Sequence, residues 1–112
     1  MHEVRFYRTV SGNQIVLNWL RSLSAEDRKA IGEDLRVVQI GFPVGLPLCR
    51  SLGRRLWEVR SSLPRGREAR LLFFHSAMHQ ALVAVHGFIK KTQKTRDEDI
   101  DLARKRMREY QD

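Results

Sequence analysis

Three strand-like segments lie so close together along the chain that they restrict the fold more than any other feature. Residues 56–61, 68–75 and 80–87 are rich in Leu, Val and Phe, a composition typical of strands. The segments SLPRGR and SAMH join them, and connections this short allow hairpins but not crossovers. The sequence therefore predicts an antiparallel three-stranded meander.

Around this meander the sequence predicts one further strand and three helices. Residues 3–9 alternate in polarity, which indicates a first strand. Apolar residues at helical spacing follow the capping boxes SGNQ and SAED, so two consecutive helices are expected before Gly41 and Pro43 end the second. A third capping box, TRDE, opens a last helix whose inward apolar stripe includes Met107 and Tyr110.

These elements combine into one α+β domain that covers residues 1–112. Residues 41–55 carry glycines and prolines at spacings that fit neither period, so an ordered loop is predicted there. The expected order is β-α-α-β-β-β-α. We expect an antiparallel sheet with the two N-terminal helices on one face and an open, basic opposite face, which could hold a ligand.

Positive charge is concentrated in one part of the chain. The sequence has 21 Lys and Arg against 13 Asp and Glu, a formal net charge of +8, and the field of such a domain attracts polyanions, most often nucleic acid. Between residues 50 and 70, seven arginines stand against two glutamates. This local excess favours an anion-binding site over an evenly charged, solvated surface.

Several other classes of protein and site are not expected. No apolar run reaches the roughly 20 residues of a membrane span, and no secretory pattern is present, so we expect a cytoplasmic protein without a membrane partner. Cys49 is the only cysteine and is expected to be a small buried side chain. His75 and His79 flank a hairpin turn without a third ligand, so neither a metal site nor a cofactor is expected.

A set of basic side chains is the candidate site. Arg70 shares a strand face with apolar neighbours, where a charge needs a partner. An ion pair with Glu58 on the neighbouring strand and a bound anion explain Arg70 equally well. The other basic candidates lie on a strand, in loops and after the last strand: Arg54, Arg55, Arg60, Arg65, Arg67, Lys90, Lys91 and Lys94.

Such cations can clamp a phosphodiester. Cleavage of RNA by its own 2′-hydroxyl needs only in-line orientation and stabilisation of the charge that develops on the phosphoryl oxygens. Arg60, Arg70 and the three lysines are expected to meet around one phosphate. His86, at a strand end, is more typical of a structural residue, and the acidic residues 97–99 are expected to stabilise a helix start rather than take part in chemistry.

The segments LWEVR, REARLLFF and HGFIKKTQKT, followed by RDEDIDLARKRMREY, resemble the HigB-like, phage-derived branch of the RelE/ParE toxin superfamily. The similarity covers residues 56–110, and GFIKKTQKT is its most specific part. It implies a RelE-like toxin of a type II toxin-antitoxin system, a metal-independent endoribonuclease that cleaves messenger RNA on the ribosome. It also implies a helix-turn-helix, HigA-like antitoxin, with operator DNA bound only through the complex of toxin and antitoxin.

The same resemblance assigns roles to residues. Arg60, Arg70, Lys90 and Lys91 match the catalytic basic positions of the family, with Lys94 beside them as an RNA contact. RelE itself uses lysines in the second central strand and a tyrosine near the C-terminus, whereas this chain has Glu58 and Arg60 in that strand. The general acid and base stay open: Lys90 or Lys91 is preferred, with Glu58 and His86 as alternatives.

Two other functions fit the same sequence. ParE-type toxins have the same fold but poison DNA gyrase, and a fold does not determine a function. A protein that binds nucleic acid without cutting it would show the same basic cluster. Mapping of RNA ends after induction separates these functions, because only a ribonuclease produces discrete cuts in translated messages.

Overall fold

A computed structural model gives the fold and describes residues 1–91 and 94–110. The elements in chain order are strand β1 (Glu3–Phe6), helices α1 (Ile15–Ser22) and α2 (Ala25–Gly41), strands β2 (Cys49–Gly53), β3 (Leu56–Ser62), β4 (Glu68–Ser76) and β5 (Ala81–Ile89), and helix α3 (Asp97–Tyr110). A short 3₁₀ turn, Pro64–Gly66, joins β3 to β4. The fold is α+β, as predicted.

The five strands form one mixed sheet in the order β1-β5-β4-β3-β2. The predicted meander is confirmed, because β3, β4 and β5 pair antiparallel in succession. The expectation of a purely antiparallel sheet is wrong at one edge, where β1 runs parallel to β5. Two helices separate β1 from the rest of the sheet, and nothing in the local pattern of β1 specifies its partner or direction.

The predicted loop at residues 41–55 is wrong in its second half, which forms the edge strand β2. This strand pairs antiparallel with β3 and is mostly exposed, so it has no alternating pattern for sequence reasoning to detect. Cys49 is its buried residue, at 1% exposure. This burial confirms the predicted small core side chain, and it raises the pKa of the Cys49 thiol to about 11.

The three predicted capping boxes have different outcomes. Ser24 caps α2 by accepting from the backbone N–H of Asp27 at 3.2 Å, as expected. Helix α1 begins after Gln14 without a side-chain cap, so the predicted SGNQ box is not formed. The hydroxyl of Thr95 donates to Glu58 on β3 at 2.5 Å, so Thr95 links α3 to the sheet.

Both faces of the sheet carry helices, which corrects the expectation of an open face. Helices α1 and α2 cover one face through Val16 and Val38, in a cluster with Val59 of β3. Helix α3 covers part of the other face through Ala103 and Met107. The predicted inward stripe of α3 is confirmed. No helix among the described residues could cross a bilayer.

Close packing of α1 on β5 makes Gly87 intolerant of a larger side chain. A Cβ added at Gly87 would lie 2.6 Å from Cε3 of Trp19, and an indole ring packed in the core cannot move away cheaply. We expect Gly87→Ala to lower the free energy of unfolding by roughly 1–3 kcal/mol, measured by urea denaturation.

Gly32 provides the matched control, because a Cβ added there meets no atom within 4 Å. It lies inside α2, where alanine restricts the unfolded chain more than glycine does. Gly32→Ala should therefore raise the free energy of unfolding by about 0.4–1 kcal/mol. Equal urea midpoints for Gly87→Ala and the wild type would contradict the contact between Trp19 and β5.

Candidate active site

A cleft of ≈ 280 Å³ opens where β5 ends and α3 begins. Its lining residues are Phe88, Ile89, Lys91, Arg96 and Asp99. Two cations, one carboxylate and an aromatic ring therefore surround the same space. This combination suits an anionic ligand that also has an aromatic part.

The register of the sheet places the predicted strand residues beside this cleft. Arg60 of β3 pairs with Arg70 of β4, and Arg70 pairs with Phe88 of β5. Directly paired residues project to the same face, so these three side chains form one row. The next row holds Glu58 on β3 and His86 on β5, on the face that α3 covers.

A β-bulge in β5 brings His86 to this face. Leu72 of β4 pairs with His86 and the next residue of β4 pairs with Ala84, so Val85 is an extra residue in β5. Strict alternation along β5 would place His86 on the same face as Ala84, which packs against α1 and α2. The bulge makes that expectation wrong. Gly87 was the available signal, because a glycine inside a strand often marks a bulge.

Arg70 is buried, with 1% of its surface exposed. Its guanidinium donates to the backbone oxygen of Ala69 at 3.0 Å and to Glu68 Oε1 at 2.8 Å, and its Nε lies 4.0 Å from Glu58 Oε1. The ion-pair explanation for Arg70 is thus what the structure shows, with Glu68 as an additional partner. The Arg70 guanidinium lowers the pKa of the Glu68 carboxyl.

Glu58 lies below the cleft, with 2% of its surface exposed. It accepts from the hydroxyl of Thr95 and faces Arg70. A carboxylate in this setting balances the charge of a buried guanidinium. The structure therefore places Glu58 inside a closed network, and it does not line the cleft.

His86 and Asp99 form a hydrogen-bonded pair at the edge of the cleft. Nε2 of His86 lies 2.8 Å from Oδ1 of Asp99, and Oδ2 of Asp99 lies 3.5 Å from Nε of Arg96. Burial lowers the pKa of His86, although Asp99 acts in the opposite direction. Because a carboxylate only accepts, Nε2 carries the proton in the neutral ring and Nδ1 is the basic nitrogen.

Asp99 is the residue that sequence reasoning missed. The acidic residues 97–99 do form the first turn of α3, where carboxylates stabilise a helix start. The pairing of Asp99 with His86 joins α3 to β5 across thirteen residues of sequence. No local pattern contains such a contact.

The basic segment after β5 contributes unequally to the cleft. Lys91 is exposed and lines it. Lys90 is half-buried, and its backbone N–H donates to the backbone oxygen of Glu68 at 2.7 Å. Lys94 is exposed just before α3. Residues 92–93 of the same segment lie outside the described residues.

The arginines between β3 and β4 do not line the cleft. Arg67 forms a two-fold salt bridge with Asp27 of α2, with both N–O distances at 2.9 Å. This pair lowers the pKa of the Asp27 carboxyl and ties α2 to the β3–β4 connection. Arg65 is exposed in the 3₁₀ turn.

Arg54 and Arg55 are also separate from the cleft. They form the turn between β2 and β3, at the opposite end of β3 from Arg60. There they line a second pocket together with residues of α3. Within the predicted basic set, Lys91 lines the cleft, Arg54 and Arg55 line the second pocket, and Arg65 and Arg67 line neither.

The family model described as phage derived protein Gp49-like (DUF891) matches residues 18–108. The match covers more than half of the chain and includes every residue that lines the cleft. No curated protein matches the sequence significantly.

The coupling between His86 and Asp99 can be measured by NMR titration. We expect the pKa of His86 to lie below its ordinary value of about 6.5, because burial disfavours the imidazolium. Asp99→Asn should lower it further, because the carboxylate that favours the charged ring is lost. The control is His75, which lies near the C-terminal end of β4. Burial is the main cause of its lowered pKa, and this pKa should be the same in Asp99→Asn as in the wild type.

Identical His86 titrations in the wild type and in Asp99→Asn would contradict the coupling.

The lowered pKa of His86 also makes the stability of the fold depend on pH. The unfolded chain binds a proton at His86 more readily than the folded chain does. The contribution of neutral His86 to the free energy of unfolding is therefore fully present above about pH 6.5, and it is lost as the pH falls through the folded-state pKa.

Proposed function

Because the chain belongs to the phage-derived Gp49-like family, a RelE/HigB-like toxin-related family, we propose that it is the toxin of a type II toxin-antitoxin system. Its activity is that of an endoribonuclease that cuts messenger RNA without a metal ion. The observation that supports this proposal best is the arrangement at the cleft, where Lys91, Arg96 and Asp99 line the space and Asp99 holds the imidazole of His86 at its edge.

The cleft can bind the RNA backbone and a base together. Lys91 and Arg96 provide positive charge for the scissile phosphate. Phe88 is half-buried and lines the same space, so its ring can stack on a base. Stacking positions the nucleotide without reading its sequence, and the phosphate contacts set the direction of the strand.

His86 is the proposed general base. Its Nδ1 accepts the proton of the 2′-hydroxyl while the 2′-oxygen attacks phosphorus in line with the 5′-oxygen. The bond from phosphorus to the 5′-oxygen breaks, which leaves a 2′,3′-cyclic phosphate and a 5′-hydroxyl. Lys91, as the ammonium, supplies the proton that the leaving oxygen needs. Asp99 keeps the imidazole in the required tautomer and orientation.

Arg60 and Arg70 have different roles in this scheme. Arg60 is half-buried at the end of the row that includes Phe88, and its charge stabilises the phosphoryl oxygens as they gain charge. Arg70 is already held by Glu68 and the peptide of Ala69. It is a positioning residue that fixes the network beneath the cleft.

The partners follow from the same proposal. The substrate is messenger RNA on the translating ribosome, and the inhibitor is a helix-turn-helix antitoxin encoded beside this gene. Operator DNA is contacted through the antitoxin. The basic surface of the chain, which has a net charge of +8, supports attraction to the ribosome, because long-range fields accelerate association with polyanions.

Induction in a bacterial host tests this function. We expect growth arrest without the neighbouring gene, normal growth with it, and discrete cuts within translated messages. In purified form with programmed ribosomes, His86→Gln should cut roughly 10²- to 10⁴-fold more slowly, because the amide can still donate to Asp99 but cannot accept the proton. Arg36→Gln, on the exposed surface of α2, is the matched control and should retain the wild-type rate.

Other outcomes would identify other functions. A DNA-damage response with intact messages would indicate a gyrase poison. Salt-sensitive RNA binding without cleavage or growth arrest would indicate a non-enzymatic nucleic-acid-binding protein. A His86→Gln variant that cuts as fast as the wild type would refute the proposed base while leaving the ribonuclease function intact.

A further inference from the structure

A second basic pocket, of ≈ 270 Å³, lies between the β2–β3 turn and the C-terminal half of α3. We name it the arginine pocket, and its lining residues are Arg54, Arg55, Arg104, Met107 and Arg108. Four of these five described residues are cations, and none of the five is acidic. The arginine pocket shares no lining residue with the cleft.

The turn that forms one wall has an unfavourable backbone for its sequence. Arg54 and Arg55 have φ angles of 45° and 71°, both in the left-handed region. A two-residue hairpin of this kind favours Asn-Gly, because other side chains crowd the backbone there. Strained residues of this type occur preferentially at ligand-binding sites, so an Arg-Arg turn calls for a functional reason.

Side chains from two other elements hold this turn in place. Arg104 of α3 donates to the backbone oxygens of Leu52 at 3.0 Å and Gly53 at 3.2 Å. Arg55 donates to the backbone oxygen of His75 at 3.1 Å, and its guanidinium lies 5.5 Å from the centre of the Phe74 ring. Arg55 and Arg104 are therefore fixed before any ligand arrives.

The positive charges of the arginine pocket meet little opposing charge among the described residues. Burial lowers the pKa of Arg104, and the neighbouring Arg54 lowers it further, as expected where two cations lie close together. Among the described residues, Asp101 is the acid that opposes this effect on Arg104. One exposed carboxylate does not offset four guanidiniums, and an anionic ligand would remove the repulsion.

We propose that the arginine pocket binds a phosphate group of an RNA strand at a position remote from the scissile phosphate. The inference rests on the proposed function for the identity of this ligand. Met107 forms the apolar floor, and the guanidiniums around it match the oxygens of a phosphodiester. The pocket thus adds affinity and fixes the direction of the strand, and the chemistry takes place in the cleft.

The spacing of the two sites suits one continuous strand. Asp99 in the cleft and Arg108 in the arginine pocket both belong to α3, nine residues apart. At about 1.5 Å per helical residue the separation along the helix is roughly 14 Å. That rise corresponds to about four stacked nucleotides at roughly 3.4 Å each, which sets the shortest stretch of RNA that could span the two sites.

RNA binding by designed variants tests this inference. Arg54→Asn and Arg108→Gln, singly and combined, remove charge from the two exposed walls, and Arg36→Gln on α2 is the control for net charge. The probe is a short, fluorescently labelled single-stranded RNA with 2′-O-methyl groups on every sugar, which the proposed reaction cannot cut. Fluorescence anisotropy measures the affinity over a range of salt concentrations.

For the double variant we expect about tenfold weaker binding at low salt. The slope of log affinity against log salt should become less steep by about 1.4, which corresponds to two lost phosphate contacts on a single strand. Arg36→Gln should bind with an affinity within twofold of the wild type. Unchanged affinity and slope in the double variant would overturn the inference.

Thermal unfolding of Arg54→Asn gives a second, independent readout. Asparagine tolerates the left-handed backbone better than arginine does, so this variant should melt about 2–4 °C above the wild type while it binds RNA more weakly. A purely structural role for Arg54 predicts a lower melting temperature and unchanged RNA affinity. That result would overturn the inference.

The outcomes also separate this inference from the proposed function. Weaker RNA binding by the double variant supports the arginine pocket even if the wild type cuts no RNA, in which case only the ribonuclease proposal fails. If the double variant binds RNA normally but no longer binds the product of the neighbouring gene, the pocket contacts a protein and the inference is wrong.

Discussion

Arg70 and Glu58 lie buried side by side between the sheet and the start of α3, and both sites of the molecule depend on how this charge pair is held. Burying one charge alone would be costly, so β3, β4 and the residue before α3 are joined through Arg70, Glu58 and the hydroxyl of Thr95. This connection sets where α3 begins. The position of α3 then determines that Asp99 meets His86 and that Arg104 reaches the β2–β3 turn.

The charge of the protein divides into paired and unbalanced groups. Arg67 pairs with Asp27 of α2, and Arg70 pairs with Glu58 of β3, so these two pairs join separate elements to one another. In the cleft, Lys91 lies beside Arg96, which contacts Asp99, and in the arginine pocket four cations surround open space. Positive charge therefore lines two places beside α3, the cleft and the arginine pocket.

The strands of the meander, the two early helices and the inward stripe of α3 could be predicted, because each has a local period or a short connection. Strand β2 could not, because it is short and mostly exposed and takes its regularity from pairing with β3. The face of His86 could not be predicted from alternation either, since the bulge at Val85 interrupts the period. Glycine at position 87 marked the place without specifying the result.

The sequence by itself determined the α+β class, the helices and the central strands, and the basic character of the protein, because periodicity, turn residues and charge are properties of neighbouring positions. Only the tertiary structure decided which charged groups meet. Arg67 joins Asp27 across forty residues, and His86 joins Asp99 across thirteen. Pairings over such separations depend on strand order and helix position, because a side chain's partner is set by the elements that pack beside it and not by its own sequence.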